Sequence, residues 1–310
     1  MTATLTPPTA PTAAAPKRPP TAVRAKPLRA RAPYLLRGAL LALSVLLLGI
    51  AAQLVLLSPL QHRAAQATGF DDLRAALALG TAPVQQETAD GKLIAPGTPL
   101  LVLDIPRLKV HQVVFEGTSS DVLAQGPGHR RDTLLPGQSG VSVIMGRAAA
   151  YGGPFGGLDR LRPGDTLKVT TGQGVFRYTV RDSRRAGQPA PPLPAVGQGR
   201  LVLVTASGPA FLPEHVLRVD ADLAGKPADT PPAFIAADSI PAEEQPMAGG
   251  APHWFALVLW LQALALASVA AVWCWFRWGH HQTWIVFTPL VGVVGLQVAE
   301  QVTRLLPNLL

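Results

Sequence analysis

Apolar residues fall into three long runs and, between the first two, a stretch of short alternating ones. The first long run, Gly38–Leu57, is close to the ~20 residues that cross a bilayer as a helix. The second, Trp254–Phe276, is interrupted only by Gln262 and Ser268 and ends at Arg277, just before His280 and His281. The third occupies 284–304: it carries Thr288, Pro289 and Gln297 and leaves through Glu300-Gln301-Val302-Thr303-Arg304. Trp254, Trp275, Trp278 and Trp284 sit near the ends of these runs, where interfacial aromatics belong. Between the first two runs the period changes twice. Phe70, Leu73 and Leu77 are spaced as on a helix, with Asp71 and Asp72 nearby, so 61–79 predicts a short amphipathic helix. Together with the loop 81–98 it makes 58–99 a helix and linker. Residues 100–223 then hold short β-like runs at Leu100–Ile105, Val110–Glu116, Val141–Met145, Thr166–Thr171, Val175–Asp182, Leu201–Thr205 and Val216–Asp222, parted by Gly and Pro turns.

Short strands at this spacing predict a mainly β fold, a closed barrel without open edges, with short helices at 119–125 and 155–161. Ser119 is the one half of a capping box present, since Val122 stands where the acidic partner belongs. Residues 224–252 are rich in Pro and Ala with little periodicity and read as a tether. Residues 1–32 are rich in Pro, Ala and Thr and are expected to be disordered.

The net charge of +8 is located rather than general. Residues 1–37 hold seven basic residues and no acidic one, which leaves 20 basic against 19 acidic in the rest of the chain. A basic tail before an apolar run orients the run with the tail in the cytoplasm. Tyr34 is the first aromatic residue, so the tail offers little for stacking on bases, and no nucleic-acid partner is expected. A signal h-region is shorter than 38–57, about 7–15 residues, and the Ala-x-Ala match at Ala65–Ala67 lies well past it, so an uncleaved anchor is expected. Three spans put 58–252 and the residues after 304 outside a multi-pass cell-membrane protein.

Several motifs within 100–223 follow one another in the order of a known family. They are Leu103-Asp104-Ile105-Pro106-Arg107-Leu108, Val114-Phe115-Glu116-Gly117-Thr118, Gly126-Pro127-Gly128-His129 with Leu135-Pro136-Gly137, and Tyr151-Gly152 with Pro154-Phe155. Leu158-Asp159-Arg160-Leu161 and Pro163-Gly164-Asp165 continue the series, and the runs 201–205 and 216–223 complete it. The segment resembles the class E branch of the sortases. The resemblance implies a sortase-like β-barrel, a cell-envelope role, and a site of three residues: a cysteine nucleophile, a histidine acid–base and an arginine for the oxyanion. Carried over, those positions read Arg147 for the histidine, Ala206 for the cysteine and, without gaps, Val216 for the arginine. The one cysteine, Cys274, lies in the second long run.

A pseudo-sortase is therefore expected. Ser207, with His129, His215 or His111 as base, is the weak alternative nucleophile, but alternation turns it to the opposite face of the strand from Ala206. Arg147, Thr205, Ser207 and His129 are the groove candidates; Arg147 reads either as a clamp for a carboxylate or carbonyl or as an arginine reaching solvent. The loop around Arg181–Arg185 and Pro189–Pro194 is the one that, by the resemblance, walls the groove. No cofactor is expected, and no metal, because adjacent His280 and His281 point about 100° apart on a helix with no third ligand near. Three functions stay open: a module binding a sorting-signal-like peptide or envelope protein, a structural subunit docking through 254–310 onto a membrane protein, and an enzyme of the cell surface using a nucleophile other than cysteine.

Overall fold

Side chains alternate across a strand, and this sorts the strand residues into one set facing the barrel interior and one facing outward. In the computed structural model, which describes residues 46–88, 90–232, 235–236, 239–249 and 253–310, the strands are β1 (Pro99–Ile105), β2 (Val110–Glu116), β3 (Gly128–His129), β4 (Gly140–Met145), β5 (Thr166–Thr171), β6 (Gly174–Arg185), β7 (Gly199–Ser207) and β8 (His215–Ala224). They close in the order β1-β2-β3-β4-β7-β8-β6-β5. The β2–β3 and β4–β7 pairs are parallel and the others antiparallel. The expected closed barrel is present. Only β3 was not legible as a strand, because two residues display no period.

Leu103, Ile105, Ile144, Leu201, Leu203, Val219 and Ala221 form the interior with neighbouring apolar residues. Met145, Val202, Val204 and Ala206 alternate with them and point outward, yet they too are buried. The run Leu201-Val202-Leu203-Val204 therefore reads without alternation because β7 is covered on both faces.

The helices sit differently from expectation in two places. α1 (Ser58–Leu79) begins three residues before the predicted start and continues from a π-turn at Gln53–Leu57, so the described end of the apolar run, residues 46–57, and the amphipathic helix are continuous. It is clamped to β2: Gln66 donates through Nε2 to the carbonyls of Val113 and Gln125, and accepts through Oε1 from Val113 N–H at 2.7 Å. Gly69 allows this approach, since a Cβ there would lie 2.7 Å from the Phe115 ring. α2 (Ser120–Gln125) starts at the expected cap, with Ser119 Oγ accepting from Val122 N–H. The helix expected over 155–161 shrinks to a single 3₁₀ turn, Leu158–Arg160, because Gly156 and Gly157 weaken a helix there.

α3 (His253–Trp278) and α4 (His280–Leu305) form a hairpin. Trp254–Trp275 and His281–Leu305 are long and apolar enough to cross a membrane. The segment 224–252 is not a free tether where it is described. Ala228 N–H donates to Gly137 O, Ser139 N–H to Thr230 Oγ1, and Thr118 Oγ1 to Glu244 O. Its backbone polar groups find partners on the barrel, which keeps it there despite its lack of periodicity. The basic tail 1–37 and the first part of the 38–57 run, through residue 45, lie outside the described residues.

One polar group inside the barrel ties a turn to the core. Gly137 N–H donates to Tyr178 Oη at 2.6 Å, and burial pushes the Tyr178 hydroxyl pKa up to about 12. Tyr178→Phe leaves the Gly137 amide without its partner, and we expect a loss of about 1–3 kcal/mol in denaturant unfolding at unchanged secondary structure.

Candidate active site

The positions that the family resemblance assigns converge at one end of the barrel, but not as a catalytic set. Ala206, near the end of β7, pairs directly with Val216 on β8. Both belong to the outward cluster with Met145, Val202 and Val204. An open depression of about 160 Å³ lies beside them, lined among others by Ala148, Phe155, Thr205, Ala206, Ser207 and Leu310. Its reactive side chains are few. Thr205 commits its hydroxyl to Gly146 O at 2.8 Å. Ser207 is register partner to His215 across β7–β8, but His215 is exposed and, among the described residues, no side-chain hydrogen bond joins the two.

Arg147 neither clamps a ligand nor reaches solvent. It is 0 % exposed, turned away from the depression and held under α2. Nε donates to Leu123 O at 3.2 Å, and Nη2 donates to Ser120 O at 3.0 Å and Ser120 Oγ at 2.9 Å. Its guanidinium lies over the Tyr151 ring, 4.8 Å from the centroid. Burial lowers its pKa to about 10, so the charge persists at neutral pH. Leu123 O is among the last carbonyls of α2, which a helix end leaves without partners and which arginine suits.

Ser120 Oγ in turn donates to Arg304 O at 3.1 Å, and Arg304 pairs with Asp121 and Glu300, each at 2.6 Å. Arg147 is thus a joint between the barrel, α2 and the end of α4. Gly146 permits the turn that precedes it, because a Cβ there would meet the Phe155 ring at 2.6 Å.

His129 is likewise no groove residue. It is fully buried between Glu116 Oε2, 2.9 Å from Nδ1, and Leu134 O, 3.0 Å from Nε2. Burial works against its charge, but the Glu116 carboxylate and the hydrogen bonds outweigh it, and its pKa is raised. Both ring nitrogens face acceptors, which fits the doubly protonated imidazolium. His111, the third base considered, is spent on an ion pair with Asp104 and a stack on Phe70. Cys274 is buried in α3. Among the described residues no group of three His, Cys, Asp or Glu is placed to hold a metal ion.

Ser120 and Asn308, which help complete this end of the molecule, were not singled out in the sequence; Tyr151 was named there only within a family motif and Arg304 only as the end of the third apolar run. Only the tertiary structure brings them together at this end of the barrel.

Residues 103–214 match the family model described as Sortase domain. The barrel is a sortase domain. Sortase D of Bacillus subtilis is 30% identical over 79 residues, covering 26% of this chain and 38% of that protein. Sortase SrtE1 of Streptomyces coelicolor is 29% identical over 152 residues, 43% of each chain. The matched stretches therefore span well under two thirds of either relative. Among solved structures, the Sortase D5 transpeptidase of Clostridium perfringens is 22% identical, with a TM-score of 0.42, covering 52% of this chain and 99% of that one. Sortase E1 of Streptomyces coelicolor, solved with a tripeptide in its active site, is 21% identical with a TM-score of 0.38, covering 43% and 93%.

Two predictions test these roles in the sortase domain. Arg147→Ala strands two carbonyls and a hydroxyl, and we expect a loss of about 3 kcal/mol. Arg147→Lys recovers part of it at most, because a point ammonium cannot fork across Ser120 and Leu123. Denaturant unfolding of the variants decides. For His129, a folded-state pKa above the unfolded value of about 6.5 contributes stability that is complete below that value and is lost as pH rises through the folded pKa. Melting temperature therefore falls as pH rises from about 6.5 through the raised folded-state pKa, and Glu116→Gln, which removes the charge that raises His129, abolishes that slope.

Proposed function

We propose that this chain is a membrane-anchored, extracytoplasmic sortase-like protein that holds a peptide segment and does not carry out thiol transpeptidation. The observation that carries the reading is what stands at the three assigned positions. A methyl group at 206 replaces a nucleophile, a buried guanidinium bonded to α2 at 147 replaces an acid–base group, and an isopropyl group at 216 replaces a donor. Thiol chemistry needs a thiolate and a group to protonate the leaving amine. Arginine at 147 supplies no such proton, since even at a pKa of about 10 it stays charged and fixed.

Peptide holding is favoured over simple loss of the site because the outward face of β4 and β7 is apolar and carries an extended stretch of chain, residues 306–310, bonded along 148–150. The membrane placement rests on the basic residues ahead of the first apolar run and on the two apolar helices. The segment after α4 reaches the barrel, which supports a reading in which that end of the hairpin lies on the barrel's side of a bilayer. Three spans with a cytoplasmic amino terminus satisfy both.

The test uses the full chain in detergent micelles with a sorting-signal peptide and an amine nucleophile, followed by mass spectrometry. We expect neither cleavage nor transfer, and none from Ala206→Cys alone, because residue 147 cannot act as acid or base. Turnover by either protein overturns the proposal.

A further inference from the structure

The face around Ala206 is not empty: the chain's own segment 306–310 lies on it. Helix α4 stops at Leu305 and Leu306 is extended (φ −66°, ψ 159°), as the residue before a proline tends to be. Beyond Pro307, Leu309 O accepts from Ala148 N–H at 2.9 Å and Leu310 O from Ala150 N–H at 3.2 Å. Asn308 is 0 % exposed. Its backbone N–H donates to Ala248 O at 2.8 Å, and Nδ2 donates to Thr118 O at 3.0 Å and Gln245 O at 2.9 Å. The Leu309 side chain is fully buried in one cluster with Met145, Val202, Val204 and Ala206, and Leu310 lines the depression beside Ala206 and Ser207.

We infer that segment 306–310 is a tethered peptide ligand of this face, and that a peptide from outside gains the face only by displacing it. The inference rests on the peptide-holding function proposed above. Main-chain bonds along 148–150, an apolar side chain in a pocket and one amide read by carbonyls make up the recognition of an extended peptide. The segment meets this face only after α3 and α4 have run their length, so it is a distinct element brought back to the barrel. Tethering gives it an effective concentration in the millimolar range, which a free peptide must beat. The chemistry of a competitor follows from the segment itself: an extended chain with an asparagine after proline and leucines behind it.

The experiment measures fluorescence anisotropy of a labelled Leu-Leu-Pro-Asn-Leu-Leu peptide against the full chain in micelles. Leu309→Asp places a carboxylate in the apolar cluster and frees the face, so it binds the probe at least tenfold more tightly than the unaltered chain. As a second measurement, Ala148→Cys with Leu309→Cys, in a Cys274→Ser background, locks the segment down. Oxidation abolishes probe binding and reduction restores it. Equal binding by the unaltered chain and Leu309→Asp, or failure of the two cysteines to join, overturns the inference and leaves peptide holding intact. Absence of binding by every form overturns peptide holding and the inference together.

Discussion

The buried guanidinium of Arg147 is the constraint on which this end of the molecule depends. A charge without a carboxylate in direct contact is costly inside a protein unless dipoles surround it. Here they are Leu123 O, Ser120 O and Ser120 Oγ, with the Tyr151 ring beneath. Those partners belong to α2, and Ser120 passes the contact on to Arg304 at the end of α4. A side chain at the position assigned to an acid–base residue thus sets how the hairpin meets the barrel. Nη1 of Arg147 is buried without a hydrogen-bond partner among the described residues, so the bonds from Nε and Nη2 to α2 are the ones that specify the arrangement, because any other leaves still more of the guanidinium unpaired.

The same end explains why β7 is buried on both sides. Its inward residues pack the barrel core, and its outward residues would form an apolar face open to water if nothing covered them. Two stretches distant in sequence do so: 240–249, which contributes Glu244, Gln245 and Met247, and 306–310. Asn308 fastens the two together, donating to Thr118 O on the barrel side and Gln245 O on the other. A small residue at 206 is consistent with this cover, because Leu309 occupies the neighbouring space in the same cluster. The small side chain at 206 and the residence of 306–310 on the face are two aspects of one packing solution.

What could be read from the chain was what near neighbours encode. Alternation revealed seven of the eight strands, the Ser119 cap located α2, and uninterrupted apolar length identified α3 and α4. The ordered motifs led to the family and so to positions 147, 206 and 216. What could not be read were contacts set by the closed fold. Arg147 looks the same in sequence whether it faces a groove or a helix end. His129, in a glycine-rich motif, gives no hint that Glu116 waits across a two-residue strand. Asn308 and Thr118 are 190 positions apart, and no period relates them. The proline- and alanine-rich stretch 224–252 looked unstructured for the converse reason: it packs through backbone groups, which every sequence carries alike.

Distance along the chain also bears on how the parts are coupled. Segment 306–310 can sit on the barrel only if α4 ends beside α2, and α4 ends there because Arg304 reaches Asp121 and its carbonyl accepts from Ser120. The α3–α4 hairpin and the face around Ala206 therefore share one set of contacts, centred on Arg147. Displacing the segment from the face removes the bonds at Ala148, Ala150 and Thr118 while leaving those of Arg304, so the face can open without detaching the hairpin. Breaking the contact at Ser120 loosens both.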